Sequence, residues 1–406
     1  MRTPPWERPD RIRQVRDRIW SYVSPAVAYS DPGVLDAAAL LGWAASDIQQ
    51  LGNRHFLLCA EAGELIDAMP SLTRRLRPAI TPAEEVSHER LLGPVQWGRT
   101  YALRAASGSG QLHVTAPPRR AYQTRENELL AHVIDGIVHA GADSGWPADG
   151  RPGTPAARIA ERHASAEYWQ QHHALRQVQR VPPTPRTAAA VAFGRFAVRY
   201  APAVRAYERM RQLVEDLDRT AVREAVEQTA LVTASNPTLF ELLTTFSVLE
   251  ALAAQGWRTE PFTTFQGALR VHARHADGRT LTLHYQSVPP GLASSSRYQQ
   301  TLHQHGIPGA SARRPDIVLE WAGTAGPRRW LLIECKLYQD DAEGAARAAL
   351  ADLLGYRREF GQALAPNPQP YGLGVVWGAG LEPAAGSEVL LCTPDQLAPA
   401  LQLALH

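Results

Sequence analysis

Residues 313–338 read RRPDIVLEWAGTAGPRRWLLIECKLY, two apolar runs joined by a turn. The run 316–321 (DIVLEW) is rich in β-forming side chains, and so is 330–333 (WLLI). Gly323, Gly326 and Pro327 lie between them, so the segment is predicted to fold as a β-hairpin. Side chains alternate faces along a strand, which puts Glu334 and Lys336 on one face and Cys335 on the other. The hairpin is expected to bring Asp316, at the start of one strand, close to Glu334, at the end of the next. Two carboxylates and an ammonium would then meet at one end of a small sheet. Hard divalent cations take oxygen ligands of this kind, and Mg²⁺ commonly takes one or two carboxylates with water and phosphate oxygens.

Lys336 is the only lysine among 42 basic residues; the other 41 are arginine. Such a bias fits a coding background in which arginine serves wherever a positive charge suffices. A guanidinium is broad, planar and permanently charged, whereas an ammonium is compact, so a lone surviving lysine marks a position where the difference matters.

The flanking sequence supplies the frame. Residues 236–257 (NPTLFELLTTFSVLEALAAQGW) read as an amphipathic helix opened near Asn236-Pro237 and closed by Gly256. Strands are expected near 268–273 and 280–286, a second helix over 343–360, and a further strand from Gly372. Glu241 and Glu250 both lie on the first helix. Nine residues are about two and a half turns, so the two face nearly opposite ways and only one of them is expected at the site.

Pro315-Asp316 followed by Glu334-Cys335-Lys336 resembles the signature of PD-(D/E)XK nucleases. The order of helix, strands, hairpin, helix and strand resembles that superfamily's αβββαβ core. More closely, PTLFELL, RRPDIVLE, LLIECK and ADLLGYRREF resemble the nuclease domain of McrC, the nuclease subunit of modification-dependent restriction systems. GPVQWGRT (93–100) and RRAYQTRENELLAHVIDGI (119–137) resemble the uncharacterised domain that commonly precedes it. The similarity spans roughly residues 85–380. One departure is Glu-Cys-Lys where McrC-like chains often carry Asp-Ala-Lys; glutamate keeps a carboxylate there. The resemblance implies a DNA endonuclease of a restriction or anti-phage defence system, dependent on Mg²⁺ or Mn²⁺. Asp316, Glu334, the carbonyl of Cys335 and Glu241 would hold the metal. Lys336 would orient water and stabilise charge, since a base role needs a depressed pKa that carboxylates oppose. Arg313, Arg314, Tyr356 and Arg357 are candidate substrate contacts, and Asp352 is a candidate support for the lysine through the family's D…Y pattern. DNA and a separately encoded AAA+ NTPase or helicase are the implied partners.

Composition narrows the rest. The chain has 406 residues, 45% hydrophobic and 20% charged, enough for two or three globular domains. A net charge of only +2 gives no global signature of nucleic-acid binding. Local arginine pairs, at 74–75, 119–120, 313–314, 328–329 and 357–358, confine any phosphate contact to patches. Cys59, Cys335 and Cys392 have no CxxC spacing, which fits a reduced, cytoplasmic setting without a disulfide framework. No signal-peptide core or membrane span is expected. There is no GxxxxGK[ST] phosphate loop and no GxSxG elbow, so nucleotide hydrolysis by that route must come from another subunit. The histidines at 163, 172 and 173 lack i, i+4 metal spacing, and His272 and His275, at a strand end, and His303 and His305, in a loop, offer only loose proximity to a substrate. A homo-oligomer stays open.

The expected fold is mixed α+β: a restriction-endonuclease-like core over 236–406, preceded by an adaptor domain over 1–235, mostly helical with a few short strands. Within the latter, helices are expected at 9–23 and 32–51, the second capped by Asp31, and a strand at 55–61 (HFLLCAE). Thr81-Pro82-Ala83-Glu84 reads as a capping box opening a helix to about Leu92. Strands near 99–105 and 111–115 follow, then a helix over 124–139, a polar break over 140–154, a helix near 155–180, a break at 181–186 and helices to about 230. Two other readings compete: a catalytically silent nuclease-fold scaffold of an NTPase complex, and a nuclease of repair or of RNA.

Overall fold

A computed structural model describes residues 5–23, 32–91, 93–145, 152–265, 268–307, 313–322, 328–338, 341–365, 370–378, 381, 383–384 and 386–405. The hairpin turn with Gly323, Gly326 and Pro327, the Asp31 cap and part of the 140–154 break lie outside the described residues. The architecture is mixed α+β, and it divides into two compact units. One comprises Met1–Ile48 with Val222–His406, the other Gln49–Ala221.

The first unit is built on one large sheet. Its elements are α1 (Arg8–Tyr22), α2 (Asn236–Ala254), β1 (Trp257–Thr259), β2 (Thr263–Phe265), β3 (Ala268–His275), β4 (Thr280–Tyr285), α3 (Arg297–Gln304), β5 (Ile317–Ala322), β6 (Arg329–Lys336), α4 (Ala342–Glu359), β7 (Gly372–Val376), β8 (Val389–Cys392) and α5 (Leu397–Leu405), besides shorter pieces. The strand order is β8-β7-β6-β5-β4-β3-β1, with β2 also paired to β3. β3 to β6 pair antiparallel in sequence order, whereas β6-β7 and β7-β8 are parallel. The parallel pair β6-β7 needs a crossover, and α4 supplies it.

Local chemistry explains these boundaries. Ser235, rather than Asn236, caps α2: its side chain accepts from the Thr238 amide at 3.2 Å. Gly256, at φ +90°, ends the segment in a conformation other residues resist. Asp341 caps α4 by accepting from the Gly344 amide at 2.7 Å. Buried residues run almost all round α2, from Leu239 and Phe240 to Ala251 and Leu252, which makes it a core helix. That corrects the amphipathic reading, and its composition alone would also pass for a membrane span. On the α4 side of the sheet, Val318, Trp330, Leu332, Leu353, Tyr356 and Phe360 form one apolar cluster. Gly374 lets α4 approach β7 closely, since a Cβ there would sit 3.2 Å from that of Ala349 and 2.6 Å from a Leu391 methyl.

Residues 5–23 belong to this unit, unlike the expected division at 235. α1 buries Val15 and Ile19, stacks Tyr22 on Phe246 at 5.0 Å, and sends Arg8 to the Val232 and Ala234 carbonyls at 2.7 and 2.6 Å. Contacts more than two hundred residues apart in sequence leave no local trace.

The second unit is helical with two small antiparallel ladders. Ala79–Pro82 pairs with Pro118–Ala121, and Glu85–His88 with Leu112–Thr115. Several expectations are corrected here. HFLLCAE is helical, spanning Ile48–Leu58 and Ala60–Arg74, with Leu51, Phe56, Leu57, Leu65 and Met69 buried; a short apolar run does not distinguish a strand from a buried helix. The Thr81–Glu84 capping pattern opens no helix, because Thr81 and Pro82 end a strand, pairing with Arg119 and Pro118. The 99–105 segment is helix Trp97–Ser107, anchored where the Val114 amide donates to the Thr100 hydroxyl at 2.9 Å. The expected 32–51 helix is broken at Gly42, φ +86°, and the 155–180 helix ends at Gln170. Leu112–Thr115 is a strand, and Arg125–Ala142 a helix capped by Thr124, close to their expected places.

Candidate active site

The end of the β5–β6 hairpin gathers the expected charged residues. Ile317 pairs with Ile333 in the ladder, so Asp316 and Glu334 each stand one residue beyond that pair. Asp316 Oδ2 accepts from the Cys335 amide at 2.8 Å, tying the Pro-Asp segment to the Glu-Cys-Lys segment. Lys336 Nζ lies 2.7 Å from Glu334 Oε1 and 2.9 Å from Asp352 Oδ2. Asp352 sits on α4, one turn before Tyr356, whose hydroxyl is 3.1 Å from both Glu334 Oε2 and the Arg314 carbonyl. Glu241 reaches the same end from α2, accepting a short hydrogen bond from Gln286 Nε2.

Burial and like charge set the electrostatics. Burial, reinforced by Glu241, pushes the Asp316 carboxyl up to about 7. Glu334 is also pushed up to about 7, by burial and then by Asp316, against the lowering effect of Lys336. Glu241 is raised, by burial and by Glu334, although the Gln286 bond opposes this. Burial alone would lower the Lys336 pKa, but its hydrogen bonds to Asp352 and Glu334 outweigh that and hold it above the usual lysine value. An ammonium so held is a fixed positive charge at neutral pH rather than a proton acceptor.

The arrangement suits a hard cation in an open site. The donors are carboxylate oxygens, and the Cys335 thiol, buried away from them on the other strand face, is raised well above its ordinary value by burial. The buried Tyr285 hydroxyl, perturbed by Glu241 and Asp316, has no hydrogen-bond partner. Crowded carboxylates with raised pKa values and an orphaned hydroxyl are what a cation and its water shell would relieve. Among the described residues no three His, Cys, Asp or Glu side chains form a closed metal-binding group. A cation here would therefore rest on one or two of Asp316, Glu334 and Glu241, with water and substrate oxygens completing its shell, as Mg²⁺ commonly does.

Other candidates fall elsewhere. Glu250 pairs with Arg18 at 3.5 Å, away from the site. Arg357 donates to the Leu364 carbonyl at 2.6 Å and lies over the Tyr371 ring, so it is not brought to the carboxylates. Tyr356 is buried beneath Glu334. Arg313 and Arg314 are exposed and line an open cavity of about 960 Å³ with Tyr298 and Glu359. His303 lies in α3 rather than a loop.

Sequence reasoning missed Gln286 and Tyr285. Gln286 follows β4 with φ +45°, a conformation uncommon outside glycine, and its amide donates to the Asp316 carbonyl at 2.7 Å. One residue thus touches Asp316 through its backbone and Glu241 through its side chain. Its position just past a strand end was the only available signal.

No family model matches the chain, and no curated protein matches it. Among solved structures it is similar to a chain of the tetradecameric assembly of Thermococcus gammatolerans McrB AAA+ hexamers with bound McrC. The TM-score is 0.23 and the identity 10%, over 84% of this chain and 66% of that one.

Proposed function

We propose that this chain is a metal-dependent endonuclease of the PD-(D/E)XK type, cutting DNA phosphodiesters as the nuclease subunit of a defence system controlled by an NTPase partner. The observation that supports it most is the meeting of Asp316, Glu334, Lys336 and Glu241 at one hairpin end. These are the residues picked out by the Pro-Asp…Glu-Cys-Lys motif and its upstream helix. The αβββαβ core of that superfamily would correspond to α2, the three strands β4 to β6, α4 and β7, with β3 additional to it.

A divalent cation, when bound, supplies positive charge and Lewis acidity beside the scissile phosphate. Asp316 and Glu334 would hold it, with the Cys335 carbonyl as an additional oxygen and Glu241 directly or through water. Gln286 keeps the Glu241 carboxylate turned toward the site. Tyr356 and Lys336 fix the two oxygens of Glu334. Lys336, locked between Glu334 and Asp352, orients the attacking water and offsets charge developing on the phosphate. Arg313 and Arg314, beside the open cavity, are placed to meet a phosphate backbone.

The test is cleavage of plasmid DNA by purified protein, in Mg²⁺, Mn²⁺ or Ca²⁺ and in chelator, alone and with a separately encoded AAA+ NTPase partner plus nucleotide. Cleavage is expected with Mg²⁺ or Mn²⁺ and the partner, and not with Ca²⁺, whose looser coordination serves binding better than turnover. Cleavage surviving chelation would exclude the mechanism, and no cleavage under any of these conditions would favour the silent scaffold.

A further inference from the structure

Residues 49–221 carry a second charged feature, far in sequence from the hairpin. A cleft of about 380 Å³ is lined by Arg77, Arg125, Arg195 and Arg199, and Glu126 is the one acidic side chain among the described residues that line it. Three of these guanidiniums crowd one ring, lying 5.0 Å (Arg77), 5.7 Å (Arg195) and 5.3 Å (Arg199) from the Phe196 centroid. Glu126 is buried and pairs with Arg77 at 2.5 Å. Arg199 also donates to the Arg75 carbonyl at 2.8 Å, a neutral partner. Among the described residues lining the cleft, one carboxylate therefore faces four guanidiniums. Like charges held this close repel unless an anion joins them, and the fork of a guanidinium matches the oxygens of a phosphate. The helix Arg125–Ala142 opens into the same cleft through its first two residues, adding the positive end of an 18-residue helix.

The rim indicates which phosphate. Phe193 and Val198 lie on the segment that carries Arg195 and Arg199, and they are 91% and 93% exposed. Gly194 between them makes the tight turn, since a Cβ there would meet the Ala190 carbonyl at 2.5 Å. A protruding aromatic ring beside a cationic cleft is how proteins hold unpaired nucleotides, with phosphates clamped and bases stacked. Bases in a duplex are not free to stack on such a ring.

We propose that this arginine cleft binds the phosphates of a single-stranded nucleic acid, with Phe193 stacking an adjacent base. The chain thereby holds an unpaired strand on a unit separate from the one with the hairpin site, whether or not that site cuts.

The test uses the full chain carrying Lys336→Ala, in chelator, so that cleavage cannot intrude. Binding of a labelled oligothymidylate of about 16 nucleotides is followed by fluorescence anisotropy over a salt series, alongside a duplex of equal length. Arg195→Ala/Arg199→Ala is expected to weaken single-strand binding about tenfold and to flatten the log–log salt slope by about 1.4, the release expected for two phosphate contacts. Phe193→Ala should weaken it about tenfold with the slope unchanged. Arg205→Ala, which removes a charge paired with Glu64, should change affinity less than twofold. Circular dichroism melts confirm that each variant is folded; should the double alanine variant not fold, Arg195→Lys/Arg199→Lys should keep the slope while losing affinity severalfold. The proposal is overturned if the folded arginine variants bind the oligonucleotide like the parent, or if duplex binding falls as much as single-strand binding. It is also overturned if inorganic pyrophosphate, titrated by calorimetry, loses its site in these variants while oligonucleotide binding is untouched. Cleavage by the parent chain is scored separately, so failure here leaves the nuclease reading standing, and the reverse.

Discussion

The Lys336 ammonium touches two carboxylates within 2.9 Å, a spacing that a compact cation fills and a broad guanidinium does not. Lys336→Ala and Lys336→Arg are both expected to lower the cleavage rate by at least about 10²-fold, the usual cost of removing a charge-stabilising donor. Full activity in the arginine variant would show that lysine is not chemically required. Gln286 invites a subtler test because its strained backbone and its amide can be separated. Gln286→Gly relaxes the positive φ but frees Glu241, so thermal stability should hold while activity falls about tenfold, a loss of about 1.4 kcal/mol. Equal activity would mean that the Glu241 contact is incidental.

The carboxylates carry a pH prediction of definite sign. Asp316 and Glu334 sit near 7 in the folded chain, above the unfolded values of about 4. The native state therefore binds more protons than the unfolded state between those limits, and stability declines as pH rises from about 4 through about 7 when no cation is present. Asp316→Asn can still accept from the Cys335 amide but carries no charge. In chelator at pH 7.5 its melting temperature should exceed the parent's by several degrees, at about 2–4 °C per kcal/mol, and the gap should close toward pH 4. Mg²⁺ should raise the parent's melting temperature and not the variant's. A variant less stable than the parent at pH 7.5 in chelator would contradict the crowding argument.

At the scale of elements, the approach of α4 to β7 rests on one missing methyl. Gly374→Ala places a Cβ against Leu391 and Ala349, an overpacking that should cost about 1–3 kcal/mol in denaturant unfolding; an unchanged midpoint would mean that the helix shifts freely. This part of the fold was legible in the sequence because its signals are local. Continuous runs of β-forming residues in DIVLEW and WLLIECK set the hairpin, and Gly256 closes α2 where a helix stop was expected. The site followed from the same register, since Glu334 and Lys336 share a strand face whatever surrounds them. The ladders of the second unit were illegible for the opposite reason. Thr81-Pro82-Ala83-Glu84 carries a good helix signal, yet pairing with residues 118–121 overrides it. Tyr285 and Gln286 escaped notice because only the assembled sheet end gives them partners or denies them.

For the whole molecule, the consequential surprise is where the first residues go. A division at 235 makes a chain beginning at Asn236 look like a free-standing catalytic domain. The structure instead lays α1 along α2, with Val15, Ile19 and Val23 almost wholly buried, Trp6 edge-on to Phe240 and Trp377, and the Phe262 amide donating to the Tyr22 carbonyl at 2.6 Å. Burying three such aliphatic side chains contributes about 1.5–3 kcal/mol each, so together they rival the total stability of a typical domain, about 5–15 kcal/mol. A chain beginning at Asn236 should therefore lack a cooperative thermal transition, expose apolar surface to a hydrophobic dye and aggregate. Adding residues 5–23 back as a separate peptide should restore the transition at least in part, because α1 contributes mainly a face to α2. If the truncated chain instead melts cooperatively near the parent's temperature, α1 is dispensable to this unit. Any activity lost on truncation would then have to come from the loss of residues 49–221 or of a partner they hold.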